Sequence, residues 1–362
     1  MVNKCRSTYF DIPLTTWGTV VDQTVSGLVK LAARENAPNP RYLSAITDIG
    51  ELLLFDKDGS KLYGPVGPFT GHGSPDELSI NVDALVLIRS GTNLALINAD
   101  GTVRWNKQGA TAITNLAAAK IGQNYVCCFI NTGATATSGV QWRSLTDGAI
   151  IQDVYGVGTS IITGYNSIAV GQTGERAAIH YAITSLGTGR FEHHHITSGR
   201  LWSVICHITS GGVNGPSKIA VDKDCGYAIV ALKGSDEGNI GYGDCYAFDS
   251  TGLQLGMPWG GGLSSITYFG VCMSPDGKQA GGYADTTGPT YRLYRVIIVP
   301  YTVATTTLAA KGKGLDITDD DLYYMLGAEN GTLYCFRVDG FAMGSTSYGG
   351  VSTPIAAVRN YT

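Results

Sequence analysis

The chain has 362 residues, of which 44% are hydrophobic and 15% charged, with 49 glycines and a net charge of -4. That apolar content can build a sizeable core and excludes a disordered chain. So small a net charge gives no reason to expect a nucleic-acid backbone or an anionic membrane surface as a partner.

Residues 1–40 fit no repeat and read as an N-terminal arm or lead-in segment. The best helical pattern lies at 25–34, with Leu28, Val29, Leu31 and Ala32 on one side, and Asn36-Ala37-Pro38-Asn39-Pro40 closes it. The opening Met1-Val2-Asn3-Lys4-Cys5-Arg6 lacks the apolar core of a signal peptide, and no segment reaches the apolar length of a membrane span. Synthesis in a reducing cytoplasm is the expectation. From residue 41 onward a phrase recurs: a short apolar run, a turn with Gly, a second run. It reads Leu52-Leu53-Leu54-Phe55-Asp56-Lys57-Asp58-Gly59, then Leu94-Ala95-Leu96-Ile97-Asn98-Ala99-Asp100-Gly101. It returns as Cys245-Tyr246-Ala247-Phe248-Asp249-Ser250-Thr251-Gly252 and as Leu333-Tyr334-Cys335-Phe336-Arg337-Val338-Asp339-Gly340. Asp-Gly between apolar runs signals a hairpin, and recurrence every 40–50 residues or so signals a propeller or another array.

Seven units follow in order. The first has strands near 42–47, 51–55 and 61–63. The second spans 78–105, the third 113–155 and the fourth 160–196. The fifth has strands at 218–221, 227–232, 244–248 and 253–255. The sixth starts at Ile266 and the seventh spans 315–341. The Gly-rich stretches 210–216 and 259–262 interrupt the repeat and are expected at one rim. Several units hold about four strands, which is the blade of a propeller.

The turn Ser274-Pro275-Asp276-Gly277-Lys278 resembles the S-P-D-G turn of WD40-like and TolB-like propellers. The segment from Leu94 to Trp105 resembles a repeat of the quinoprotein-like propellers: strand, acidic-Gly turn, strand ending in Trp. The WD dipeptide is missing, and only the second unit has the repeat Trp in that place. The resemblance implies an all-β fold. The expected architecture is a single β-propeller over 41–362, of seven blades with four antiparallel strands each, carrying an N-terminal extension. The first unit lacks an obvious innermost strand. The apolar run Pro354-Ile355-Ala356-Ala357-Val358 is expected to fill that place and clasp the ring, with 28–32 as the rival.

The search for chemistry yields no expected catalytic, cofactor or metal residues. In Glu192-His193-His194-His195, the side chains of His193 and His195 share one strand face and could ligate a metal, but no third ligand is evident, and a solvated outer strand is the expectation. Asp319-Asp320-Asp321 reads as a turn between strands. Asp56-Lys57-Asp58-Gly59 opens like a calcium loop, yet Gly67 stands where the closing Glu belongs. Gly156-Val157-Gly158-Thr159 and Gly241-Tyr242-Gly243 lack the helix that phosphate binding needs. No G-x-S-x-G elbow occurs. Cys127 or Cys206 with His207 could be called a nucleophile pair, but Cys206 and His207 are adjacent on a strand and face apart. The eight cysteines form no C-x-x-C pair and read as reduced, buried thiols. Tyr63, Tyr155, Tyr165, Tyr242, Tyr268, Tyr348 and Tyr361 lie near turns, where aromatics serve recognition or simply suit strands.

These readings point to a non-enzymatic structural or interaction protein, with no cofactor. Other protein subunits of a larger assembly are the expected partners. In composition and architecture the chain resembles tail or surface propellers of tailed bacteriophages, which implies a virion component. The alternatives are a propeller binding a carbohydrate or host receptor, and a quinoprotein-like or glycosidase-like enzyme.

Overall fold

The computed structural model describes residues 2–10, 17–26, 28–33, 42–47, 49–56, 60–72, 75–131, 138–155, 167–183, 188–207, 218–231, 245–256, 267–286, 290–317, 323–340 and 342–347. Its strands form seven consecutive antiparallel sheets that make a seven-bladed β-propeller, preceded by a separate hairpin. The hairpin pairs β1 (Val2–Phe10) with β2 (Trp17–Ser26). Blade 1 is β3 (Leu28–Ala33), β4 (Tyr42–Thr47), β5 (Leu52–Asp56) and β6 (Lys61–Val66). Blade 2 is β7 (Glu77–Ile80), β8 (Val86–Ser90), β9 (Asn93–Ile97) and β10 (Val103–Lys107). Blade 3 is β11 (Leu116–Ile121), β12 (Tyr125–Asn131), β13 (Ser138–Ser144) and β14 (Ile150–Tyr155). Blade 4 is β15 (Ser167–Val170), β16 (Arg176–Ile183), β17 (Thr188–His195) and β18 (Gly199–His207). Blade 5 shows β19 (Lys218–Val221), β20 (Tyr227–Ala231) and β21 (Cys245–Asp249), plus a single bridge from Phe248 to Gln254. Blade 6 is β22 (Thr267–Met273), β23 (Gln279–Thr286), β24 (Thr290–Ile297) and β25 (Thr302–Leu308). Blade 7 is β26 (Gly312–Ile317), β27 (Tyr323–Ala328), β28 (Thr332–Arg337) and β29 (Ala342–Ser347).

The first strands of successive blades touch one another in sequence from β3 through β7, β11, β15, β19 and β22 to β26, which makes them the innermost. Each blade is buried on both faces, so the core is a series of layers between blades. Ile46, Leu52 and Leu54 of blade 1 meet Val86 and Ile88 of blade 2, while Leu87 and Leu96 on the reverse face of blade 2 meet Val126 and Cys128 of blade 3. Burial on both faces explains why the middle strands read as unbroken apolar runs rather than alternating ones. Each such side chain contributes roughly 1.5–3 kcal/mol on leaving water.

The turns between first and second strands are tied together around the ring. Asn81 Nδ2 donates to Gly122 O at 3.2 Å. Gln123 N donates to Gln172 O at 2.8 Å, Gln172 N to Lys223 O at 2.6 Å, and Lys223 N to Pro275 O at 3.0 Å. This belt runs from blade 2 to blade 6. The turns between third and fourth strands carry a second set of ties. Trp105 Nε1 donates to Leu145 O of the next blade at 3.1 Å, and Trp202 Nε1 to Ser250 O at 2.9 Å. The Trp202 ring lies where a Cβ on Gly252 would stand, 2.9 Å from it, and Gly252 has φ +83°, so glycine is required there twice over.

The Asp-Gly turns differ in detail from the expected hairpin geometry. At Asp100-Gly101 only the glycine has positive φ. The Asp100 carboxylate instead accepts from Thr102 N at 2.9 Å and Thr102 Oγ1 at 2.6 Å. At Asp276-Gly277 the carboxylate accepts from Ser274 Oγ and Lys278 N in the same manner. Asp58-Gly59 lies outside the described residues.

Three expectations are revised. The helical pattern at 25–34 is the end of β2 followed by strand β3, since β3 finds a partner in β4. Residues 28–33, counted with the lead-in segment from sequence, therefore supply the innermost strand of blade 1. The place reserved for a C-terminal clasp beside β4 is taken by β3. The run 354–358 itself lies outside the described residues, as do the Gly-rich stretches 210–216 and 259–262.

Candidate interaction surface

The histidine run occupies the C-terminal end of β17, and Glu192, His193 and His194 are buried rather than solvated, with His195 half-buried. The face assignments follow from packing: Phe191 belongs to the layer against blade 5, and Tyr181 to the layer against blade 3. His193 therefore faces blade 5, with 1% exposure, and meets the Trp202 ring edge-on at a centroid distance of 5.4 Å. His195 shares that face but points its Nδ1 at the following turn, where Thr197 N and Oγ1 donate to it at 3.1 and 3.0 Å. The pair is not arranged around a common ligand position. Among the described residues no group of three His, Cys, Asp or Glu side chains could hold a metal ion.

The opposite face of β17 carries a polar cluster. Glu192 and His194 are both fully buried, with Oε2 and Nε2 3.0 Å apart. Ser203 Oγ donates to Glu192 Oε1 at 3.0 Å, and Arg200 Nη1 donates to the same oxygen at 3.3 Å. Burial alone would raise the Glu192 carboxyl, but the bonds from His194 and Ser203 outweigh it and hold it below the usual range. Burial and the Glu192 charge push the Tyr181 hydroxyl up. His180 lies on β16, fully buried, with no partner for either ring nitrogen, and burial pushes it down to about 3. His193 falls to about 3 as well, through burial first and then the nearby Arg176, His194 and His195. Glu192, His193, His194, His180 and Tyr181 are buried in the layers, while Arg200 reaches solvent.

The remaining sequence candidates scatter. Cys206 is buried in the layer between blades 4 and 5, and Cys127 in that between blades 3 and 4. Seven cysteines are buried and form no disulfide among the described residues, and the side chain of Cys5 lies outside them. Asp319-Asp320-Asp321, Gly156 to Thr159 and Gly241 to Gly243 also lie outside. Of the seven tyrosines near turns, Tyr63 is half-buried, covering Gly101 of the next blade, and Tyr155 is 46% exposed. Tyr165, Tyr242, Tyr348, Tyr361 and the side chain of Tyr268 lie outside the described residues. An open cleft of about 430 Å³ lies between the turns of blades 2 and 3, lined by Asp83, Asn98, Asp100 and Arg104. Three of these four are already engaged locally: Asp100 by Thr102, and Arg104 Nε by Asn98 Oδ1 at 2.7 Å.

The surface that stands out is on the circumference. Ile150, Ile151 and Tyr155 of β14 are 52%, 49% and 46% exposed, and Leu201 and Ile205 of β18 are 39% and 62% exposed. The two strands are neighbours, each the outermost strand of its blade. Ile205 stands opposite Arg190 and two places from Ser203, which puts it on the face of blade 4 turned toward blade 3. Tyr155 alternates with Val154, which packs in the layer against blade 4, and Ile150 stands opposite Arg143, so the apolar side chains of β14 lie on the face of blade 3 turned toward blade 2 and form a patch separate from that of β18. Among the other outer strands, β6 carries Lys61 and Pro65 and β10 carries Arg104 and Lys107, whereas β25 and β29 carry no charge. β14 has one charge, Asp153, and β18 has one, Arg200.

No protein family and no curated protein matches the chain. Solved structures match it in fold. BamB from Moraxella catarrhalis aligns over 91% of this chain and 93% of its own, at 14% identity with a TM-score of 0.56. A eukaryotic initiation factor aligns over 97% and 89%, at 10% identity and a TM-score of 0.55. A Dos1 propeller aligns over 75% and 71%, at 11% identity and a TM-score of 0.51. At these identities the likeness is one of propeller fold.

Sequence reasoning did not single out the β14–β18 face. Its signal was present: Ile150-Ile151 and Leu201 with Ile205 fall on the fourth strand of their units, where an apolar residue has no further blade strand to cover it.

Proposed function

We propose that this protein is a non-catalytic propeller scaffold that docks other protein subunits through the circumference of blades 3 and 4. The carrying observation is the exposure of Ile150 and Ile151 on β14 and of Leu201 and Ile205 on β18, two adjacent strands each outermost in its described blade. Burial of the titratable cluster of blade 4 supports a structural role for it. The finer reading, a tail or surface component of a bacteriophage particle, rests on composition and architecture alone. Glycan or receptor binding through rim aromatics has less support, since Tyr155 is the only one of the seven turn tyrosines whose described side chain is exposed.

Purification of the protein in its native assembly tests this reading. A photo-crosslinking residue at position 151 or 205 should join the chain to a defined second polypeptide present in fixed ratio, whereas one at position 104 should not. Turnover of a sugar alcohol with added quinone and calcium, or of a glycoside, overturns it. So does a native preparation without any protein bound at 151 or 205.

A further inference from the structure

We propose that the layer between blades 4 and 5 is an acid-opened joint, which parts when His180 and His193 take up protons while the other layers stay closed. Histidine is gathered in one place: five of the six in the chain, His180, His193, His194, His195 and His207, fall in blade 4. The sixth, His72, lies in the connection between blades 1 and 2 and has Asn106 Oδ1 as a partner at 3.2 Å.

Strand alternation sorts the blade 4 histidines by layer. Ala178 and Phe191 pack against blade 5, so His180 on β16 and His193 on β17, two places from them, face blade 5 as well. His180 stands opposite Phe191 and His193 opposite Ala178, which sets the two rings on a diagonal of one sheet face. Each is 1% exposed, and neither ring nitrogen of His180 nor the Nε2 of His193 has a hydrogen-bond partner. The charged and titratable groups on the same side of blade 4 are Arg176 on β16, His195 on β17 and Cys206 on β18. Blade 5 presents Tyr246 on β21 and Cys225 in the turn after β19, while β15, β19 and β20 turn no titratable side chain to this layer. Asp222 in that turn accepts from Tyr227 N at 3.1 Å and lies where a Cβ on Gly277 of blade 6 would stand 3.0 Å from its carboxylate. Among the described residues no carboxylate faces either ring, and a proton on either adds positive charge to a layer that already holds Arg176.

His194 is the contrast. It turns to blade 3, where Glu192 Oε2 lies 3.0 Å from its Nε2, so a charge there meets a carboxylate. Acid thus acts on one side of blade 4. The closed layer keeps its two histidines neutral, since burial pushes both down to about 3 from an ordinary 6.5. In the parted layer they regain the ordinary value. Between pH 7.5 and pH 5 each therefore favours opening about 30-fold, and the two together about 1000-fold. Parting uncovers the rings of Phe191, Trp202 and Phe248, packed with centroids 5.4 to 5.9 Å apart, so an aromatic surface is presented in acid alone.

The cysteines report on the layers one by one. Cys206 and Cys225 lie between blades 4 and 5, Cys128 between blades 2 and 3, and Cys272 between blades 6 and 7. The full chain is treated with a pyridyl disulfide, which modifies thiols at both pH values. Mass spectrometry gives a rate for each cysteine, divided by its rate in the urea-unfolded chain at the same pH. The divided rates of Cys206 and Cys225 should rise about 1000-fold from pH 7.5 to pH 5, and at pH 5 should run at least about tenfold ahead of Cys128 and Cys272. His180→Leu and His193→Phe should each cut the rise to about 30-fold, and together abolish it. One common rate for all four cysteines at pH 5 means that the ring unfolds as a whole and overturns the proposal. Rates for Cys206 and Cys225 that ignore pH overturn it too, as does a 1000-fold or so rise that survives the double substitution. The first two of these outcomes need only the wild-type chain.

Discussion

Acid should weaken this fold through two histidines of blade 4. His180 and His193 are each about 1% exposed and are pushed down to about 3 from an ordinary value of 6.5. For a base depressed in the folded state, the unfolded chain binds the extra proton. Stability is therefore whole above pH 6.5 and falls as the pH drops toward 3. At pH 5 each histidine has cost about 2 kcal/mol, that is 1.5 pH units at 1.36 kcal/mol each. Asp222 works against this: burial raises its carboxyl to about 6, so acidification to pH 5 returns about 1 kcal/mol. His72, lowered chiefly by burial, adds to the loss. The net loss between pH 7.5 and 5 is about 3 kcal/mol from the first three groups. Urea unfolding followed by tryptophan fluorescence at the two pH values measures it. His180→Leu should shrink the difference by about 2 kcal/mol, since no ring remains to be protonated on unfolding. If wild type and His180→Leu lose stability to within about 0.5 kcal/mol of each other, the burial argument for His180 is wrong.

Other substitutions test the ties between blades. Gly252→Ala puts a methyl group into the Trp202 ring at a positive φ and should cost about 2 kcal/mol, read as a lowered melting temperature. Glu192→Ala strips the buried His194, and the partly exposed Arg200, of their shared carboxylate and should cost about 3 kcal/mol, with Glu192→Gln costing less; chemical denaturation of both variants decides. The buried thiols should resist alkylation in the native state even at alkaline pH, because burial pushes Cys128 up to about 12 and the Cys127 and Cys225 thiols higher than usual. All eight cysteines should label in denaturant without reductant, and mass spectrometry that finds a disulfide-linked peptide contradicts this.

The blade count and most strand positions were legible because the repeat is written in turn chemistry. Asp100-Gly101 and Asp276-Gly277 mark hairpins whatever packs around them. The inner strand of blade 1 was not legible: Leu28, Val29, Leu31 and Ala32 satisfy a helical pattern as well as a strand, and only pairing with the distant β4 decides between them. The burial of Glu192, His193 and His194 was hidden for a similar reason. A polar run usually marks a solvated strand, and here the cross-strand neighbours Ser203 and Trp202 and the flanking blade absorb it. Nothing within the run itself carries that information. The exposed isoleucines lay in plain sight, but an apolar residue on a fourth strand reads like any other strand residue until the sheet order shows which described strand is outermost.

Every described blade is built from strands that follow one another along the chain, and none borrows a strand from the far end. Cutting the chain between two blades would therefore interrupt no sheet. The described blades are modules in the genetic sense: new ends can be opened at the connections 108–115 or 309–311, with the old ends joined, and the permuted chain inherits every hydrogen-bonded pair it had before. The same independence lets a gene lengthen or shorten such a ring by whole units, because each added unit brings all the strands of its own sheet.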